Sequence, residues 1–312
     1  MTWVKGIHHI TGAATDGQKD HDFYTRVLGL RRIKKTINHE TADQWHLFYG
    51  DRDGNAGTIM TNFIFENTPL PEWQPGKGTI HELAFSVPPG SLEYWESRLA
   101  ARGFIPEHRP ERFGERVLAY RDPSGIPSAL VEHADSRNPP ALGDVDPAHR
   151  VSGFHGVSVV SRIPELTLGF FTDLLRGEVV ASEGRRTRIA FADGDSAGFV
   201  DLLDEPEAGW GRWGLGGIHH VAFTVESKEV MEQLWRVLSG AGFIVTDLRD
   251  RKWFHSMYLT EPGGINVEIS DMTPGWTVDE ELDSLGTILS LPRQWEADRE
   301  VIEAKLPPLR FD

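Results

Sequence analysis

Two short stretches of this chain place paired histidines inside apolar runs: Ile7-His8-His9-Ile10-Thr11 and Ile218-His219-His220-Val221. A third stretch, Gly264-Ile265-Asn266-Val267-Glu268-Ile269-Ser270, carries one carboxylate in the same kind of run. On a strand, alternate side chains share a face, so His9 goes with Ile7 and Thr11, and His220 with Ile218 and Ala222. Asn266, Glu268 and Ser270 lie opposite Ile265, Val267 and Ile269. The apolar side suits packing against helices, and the polar side is then expected to line a cavity. Glu268 becomes an inward carboxylate, which needs a partner charge or a metal. Two neutral imidazoles and one carboxylate match the facial triad of non-haem Fe(II) oxygenases, which leaves positions open for substrate and O₂. The same donors also suit catalytic zinc.

These residues sit in a repeat. IHELAFSV (80–87) echoes IHHVAFTV (218–225), and GFHGV (153–157) is a weaker copy, so four units open near residues 7, 80, 154 and 218. DFYTRVLGL (22–30) matches GFFTDLLRG (169–177), RLAARGFI (98–105) matches VLSGAGFI (237–244), and RDPSGI (121–126) matches TEPGGI (260–265). Helical spacing (Leu92, Trp95, Leu99) alternates with β-branched and aromatic runs bounded by Gly, Pro and Asp. The expected architecture is α+β: four βαβββ modules at 1–66, 78–136, 150–204 and 214–272, followed by a tail at 273–312. Residues 66–78 and 134–150 read as linkers, and the tail carries one helix, Gln294–Lys305. The repeat also acts as a control. The position of His220 is His9 in module 1, Glu82 in module 2 and Gly156 in module 3, and Glu268 corresponds to Ala129 in module 2. Only His9, His220 and Glu268 form a full set. Modules 1 and 4 are therefore expected to share one metal-bearing barrel, with modules 2 and 3 forming a second that lacks ligands.

The remaining histidines read as ordinary: His81 and His155 structural, His39, His133 and His149 in solvated loops. His46, in WHLFYGD (45–51), is open between cavity lining and strand packing. Most of the tryptophans read as core or helix-face residues, and Asp279-Glu280-Glu281 reads as a solvated face or a helix start. Lys and Arg number 32 against 47 Asp and Glu, a formal charge of −15 over 312 residues, so nucleic acid is a poor partner. Zero cysteines exclude disulfides, thiolate metal sites and a Cys nucleophile. No apolar run is long enough to span a bilayer, and the opening residues lack a signal-peptide core, so the expectation is a cytoplasmic protein without a membrane partner.

Taken together, IHHIT, WHLFYGD, GIHHVAF, the 250–268 stretch and Leu291-Pro292 resemble the hydroquinone-type ring-cleaving dioxygenases of the vicinal oxygen chelate superfamily (glyoxalase, bleomycin resistance and extradiol dioxygenase proteins). The resemblance covers nearly the whole chain. It implies two curved-sheet barrels, metal ligands at His9, His220 and Glu268, and substrate-site residues at His8, Thr11, His219, Arg251 and Tyr258. Tyr258, with His8 or His219, would move protons, while Thr11 and Arg251 would hold the substrate. Strand alternation supports Thr11 but turns His8 and His219 away, unless a bulge redirects them. The implied function is Fe(II)-dependent cleavage of a hydroquinone-like or catechol-like ring with O₂, in aromatic compound degradation, with Mn(II) or Zn(II) as other metals and a homo-oligomer as a possible assembly. The superfamily also holds glyoxalase-type isomerases or lyases and drug- or toxin-sequestering proteins.

Overall fold

The computed structural model describes residues 3–66, 68–191 and 198–310. Module 1 comprises β1 (Val4–Ala14), α1 (Gly17–Asp22), β2 (Arg31–Ile37), β3 (Trp45–Gly50) and β4 (Ile59–Ile64). Module 2 comprises β5 (Thr79–Val87), α2 (Leu92–Ala101), β6 (Glu107–Arg112), β7 (Glu115–Arg121) and β8 (Pro127–Glu132). Module 3 runs β9 (Gly153–Val160), α3 (Pro164–Gly169), β10 (Glu178–Glu183), β11 (Arg186–Ala190) and β12 (Phe199–Leu203). Module 4 runs β13 (Ile218–Val225), α4 (Lys228–Gly240), β14 (Arg249–Asp250), β15 (His255–Thr260) and β16 (Asn266–Ser270).

The repeated motifs do repeated work. The aromatic pairs of modules 1 and 3 widen the helix end into a π-turn, Phe23–Val27 and Phe170–Leu174, which buries both rings. On α2 and α4 the apolar stripes Leu92, Trp95, Leu99 and Met231, Leu234, Leu238 are buried. The late turns are built around buried acids. Asp122 accepts from the backbone N–H groups of Ser124 and Ile126, and Glu261 from those of Gly263 and Ile265. Gly125 and Gly264 have φ of 91° and 95°, which the turn needs and a side chain would resist. Each turn returns the last strand parallel to the first, β8 beside β5 and β16 beside β13.

The modules pair 1 with 4 and 2 with 3. β1 lies antiparallel to β13, and β5 antiparallel to β9; β5 also meets β13 at Ile80 and Ile218, which joins the two halves. One long apolar cluster runs through both halves. This is the α+β architecture of two curved-sheet barrels that the ligand bookkeeping required.

Three local expectations are corrected. Residues 68–78 are not a free linker, because Glu72, Gln74 and Lys77 bridge to Leu215, Arg212 and Trp210. Asp279 and Glu280 are not a solvated face: they clasp the fully buried Lys34 ammonium at 2.6 and 2.5 Å. The tail helix divides into a 3₁₀ segment, Arg293–Asp298, and α5, Arg299–Lys305. Among the described residues no helix is long and apolar enough to cross a membrane.

Candidate active site

The β1–β13 ladder shifts register at three places, and two of the shifts fall on histidines. Ile7 faces Phe223 while His9 faces Ala222, which makes His8 the extra residue; Thr11 faces His220 while Gly12 faces Ile218, which makes His219 the extra residue. Shifts at the matching places in β5–β9 leave His81 and His155 extra. The bulge is therefore a property of the fold, with a histidine on it in all four modules. It breaks simple alternation and sets neighbouring histidines side by side.

His9, His220 and Glu268 converge. Their Nε2, Nε2 and Oε2 atoms are 3.2, 3.3 and 2.9 Å apart, all three residues being buried. Glu268 reaches this point because β16 runs parallel to β13 with Glu268 beside Ala222. Donors at about 2.0–2.2 Å from one ion would stand about 3.0 Å apart at right angles and about 3.4 Å apart in a tetrahedron. The observed spacings fit a divalent ion in either arrangement. Glu268 Oε2 is buried without a hydrogen bond of satisfactory geometry, while Oε1 accepts from Ser270 at 2.8 Å. One oxygen is fixed and the other is left for a cation. Burial opposes ionisation of Glu268, but the two imidazoles hold its carboxyl well below the usual range.

The bulged histidines set the ligand tautomers. His8 Nε2 lies 2.9 Å from the Asp271 carbonyl oxygen, which can only accept, so His8 carries its hydrogen there. Burial, reinforced by His9, drives His8 down to about 3, leaving its ring neutral. Its Nδ1 must then accept the 2.8 Å hydrogen bond from His9 Nδ1, so that once a metal replaced the proton shared with Glu268, His9 would offer it the Nε2 lone pair. In the other barrel wall, His219 Nδ1 and His220 Nδ1 are 2.7 Å apart. A bare Nε2 on His220 requires its Nδ1–H to donate, which leaves His219 with hydrogen on Nε2. Burial and His220 lower His219 to about 3 as well.

The ligands open on a cavity of about 860 Å³, whose walls include Phe48, Phe63, Phe65, Trp213, Phe243 and Phe254. Thr11, His219, Arg251 and Tyr258 also line it, whereas His8 sits behind His9 and does not. The Tyr258 ring is 5.9 Å from that of His220. Its oxygen accepts from Arg251 Nε at 3.1 Å and from Ser256 Oγ at 3.0 Å, so its own hydrogen is free to turn elsewhere. Burial and the nearby Glu268 push the Tyr258 phenol up, which keeps that hydrogen in place at neutral pH. Arg251 also pairs with Glu40 at 3.1 Å.

Sequence reasoning missed several wall residues. His39 was read as solvated but lines the cavity, where burial lowers it to about 3. Phe63 could have been found by carrying the His9–Thr11 face across to β4. Phe65 and Trp213 flank segments that carry no periodic signal. His133 was also misread, since it joins Glu115 and His155 in the second barrel.

The family described as Glyoxalase/Bleomycin resistance protein/Dioxygenase superfamily matches residues 6–129 and 153–269. A Bacillus subtilis (strain 168) protein named "Putative ring-cleaving dioxygenase MhqE" is 36% identical over 98% of this chain and 99% of its own. "Chlorohydroquinone/hydroquinone 1,2-dioxygenase" of Sphingobium indicum is 30% identical over 94% of this chain and 93% of its own. A crystal structure described as "putative dioxygenase from Bacillus subtilis subsp. subtilis str. 168" superposes with a TM-score of 0.94 at 33% identity, covering 99% of both chains. With both module pairs matched by the family, and the metal-capable cluster at the junction of β1, β13 and β16, this chain belongs to the Glyoxalase/Bleomycin resistance protein/Dioxygenase superfamily.

Proposed function

We propose that the chain is an Fe(II)-dependent dioxygenase that opens a hydroquinone-like or catechol-like ring with O₂. The observation that carries this reading is the exposure of a buried two-histidine, one-carboxylate cluster to an aromatic-walled cavity, with phenolic and imidazole hydrogens around it. Relatives named as ring-cleaving dioxygenases over nearly the whole chain support it. Fe(II) on His9, His220 and Glu268 would supply electron transfer to O₂ and favour loss of a phenolic proton; Mn(II) and Zn(II) suit the same donors.

The chain's own residues do the rest. The phenylalanine and tryptophan walls bind the ring face and exclude water. Tyr258 delivers a hydrogen bond or a proton at a reacting oxygen, its lone pairs being taken by Arg251 and Ser256. His219, neutral with hydrogen on Nε2, exchanges a proton on the cavity side. His8 acts only through His9 and is a positioning residue in this reading. Arg251 supports anionic charge on the substrate and orients Tyr258.

The test is oxygen consumption by ferrous-loaded protein against a panel of hydroquinones and catechols, with absorbance of the opened ring followed in parallel. Uptake of O₂ in step with product is expected. Iron-loaded protein that consumes no O₂ with any member, or that isomerises a substrate without O₂, overturns the reading.

A further inference from the structure

His46 is the motif residue that the reaction scheme has not used. It borders the cavity, and its strand neighbours explain how. On β3, His46 and Phe48 face inward; across the ladder His46 is opposite Phe63 and Phe48 opposite Thr61, and Thr61 of β4 stands beside Thr11 of β1. The His46 ring lies 4.3 Å from that of Phe48 and 4.2 Å from that of Phe63, centroid to centroid. His46 Nε2 is 2.9 Å from Thr61 Oγ1, and Thr61 Oγ1 is 2.8 Å from Thr11 Oγ1. Three polar side chains thus form a continuous chain, from the far wall to the residue two places beyond His9.

The direction of that chain follows from its closed end. His46 Nδ1 is buried with no hydrogen-bond partner. Burial, followed by His39 and His9 among its neighbours, holds the His46 ring well below its ordinary range, so it carries one hydrogen. If that hydrogen were on Nδ1, a buried N–H would be orphaned, which is rarer and more costly than an unused acceptor. The hydrogen therefore sits on Nε2 and is donated to Thr61. Thr61 has one hydroxyl hydrogen and donates it to Thr11. Thr11, already accepting, is left with its own hydrogen for the cavity.

We propose that His46 and Thr61 are positioning residues that fix Thr11 as a hydrogen-bond donor toward an anionic oxygen of a bound phenol. The proposal rests on the phenolic-substrate reading above and adds a polarity to it. A donor at Thr11 favours the phenolate over the neutral phenol, because a hydrogen bond to a charged acceptor is the stronger one. An acceptor at Thr11 would do the reverse.

The experiment uses 4-nitrophenol, whose phenolate absorbs separately from the neutral form, added to the purified full-length protein at constant metal content. The wild type is expected to bind the phenolate in preference. Thr61→Val removes the middle hydroxyl with little change in shape, and His46→Phe keeps the ring while removing the donor. Each is expected to weaken phenolate binding about tenfold and to raise the apparent pKa of the bound probe by about one unit. Neutral-probe binding at low pH and metal content should not change. Thr61→Ser restores a hydroxyl and should bind as the wild type does. Equal phenolate affinity in wild type and Thr61→Val overturns the relay, as does a wild type that does not take up the probe. Weakened binding of the neutral probe instead overturns its direction. No step of this measurement requires turnover, so failure of ring cleavage in the oxygen assay is read separately from failure of the relay.

Discussion

The two barrels are built on one plan and differ in who supplies the cation. In the first, His9, His220 and Glu268 converge, and the ion pairs the structure gives Glu268 are with those two imidazoles. In the second, the matching positions are Glu82, Gly156 and Ala129. A Cβ on Gly156 would stand 2.3 Å from the Phe199 carbonyl oxygen, so no ligand side chain fits there. Glu82 turns to Arg112. A different trio, Glu115, His133 and His155, gathers nearby with the same donor types. Here Arg188 places Nη1 2.5 Å from Glu115 Oε2 and Nε 2.8 Å from Asp201 Oδ1. The guanidinium is the cation that gathers these carboxylates, where the other barrel has a buried donor set able to hold a metal. Space follows charge: the cavity at the ligand set is about 860 Å³, whereas the one beside Arg188 is about 10 Å³. The bulges recur in both barrels, so they cannot by themselves make a site. What makes one is a convergent set of donors with no arginine between them and room on the open side.

The contrast can be broken most sharply at Glu268. Glu268→Ala should lose metal and turnover to background while folding normally; elemental analysis showing full iron retention would end the assignment. Next is Arg188→Met, which leaves Glu115 and Asp201 without their shared cation. Arg186 still pairs with Asp201, and His133 and His155 still face Glu115, so the substitution is expected to cost about 1–3 kcal/mol in thermal or urea denaturation and to leave metal content unchanged. A fall in bound iron there would contradict the division of labour. Ser270→Ala releases Glu268 Oε1 and should weaken metal affinity about 10–100-fold without loss of fold, as measured by competition with a chelator. The smallest effect concerns the tail. Burial opposes ionisation of Asp279, but Lys252 and Lys34 bring its carboxyl down to about 2. A depressed carboxyl contributes stability that is full above its unfolded value of about 3.9 and is lost as pH falls through the folded one. Between about pH 4 and pH 2 the chain should lose at most about 2 kcal/mol from this group. Glu115 adds a change of the same sign: burial opposes its charge, but His133, His155 and Arg188 hold it well below the carboxylate range. Asp279→Asn should flatten its part of the pH curve and leave the Glu115 part intact.

Much of this was legible before any coordinates. The repeat, the Pro/Gly turns and the apolar stripes are local signals, and the matched late turns are held by Asp122 and Glu261 through hydrogen bonds to residues no more than four places away. Comparing modules at two strand positions, one on the first strand and one on the last, was enough to single out His9, His220 and Glu268 over Glu82, Gly156 and Ala129, and to require that module 1 meet module 4. Strand alternation rightly kept His8 out of the cavity but failed at His219, because it assumes an unbroken register and the extra residue that breaks it is visible only against the partner strand. His133 and Asp279 looked like surface charge because their partners are far away in the chain: Glu115 is 18 residues from His133, and Lys34 is 245 from Asp279.

The chain's own order of residues determined the four modules, the donor types and the positions able to hold a metal, since hydrophobic period, turn chemistry and side-chain basicity are properties of short segments. Only the tertiary structure decided which imidazole nitrogen faces the carboxylate, which carboxylate is claimed by arginine and which barrel keeps a cavity. Those outcomes depend on hydrogen bonds and packing between different strands, from the 73-residue separation of Glu115 and Arg188 to the 211-residue separation of His9 and His220, and no local pattern encodes them.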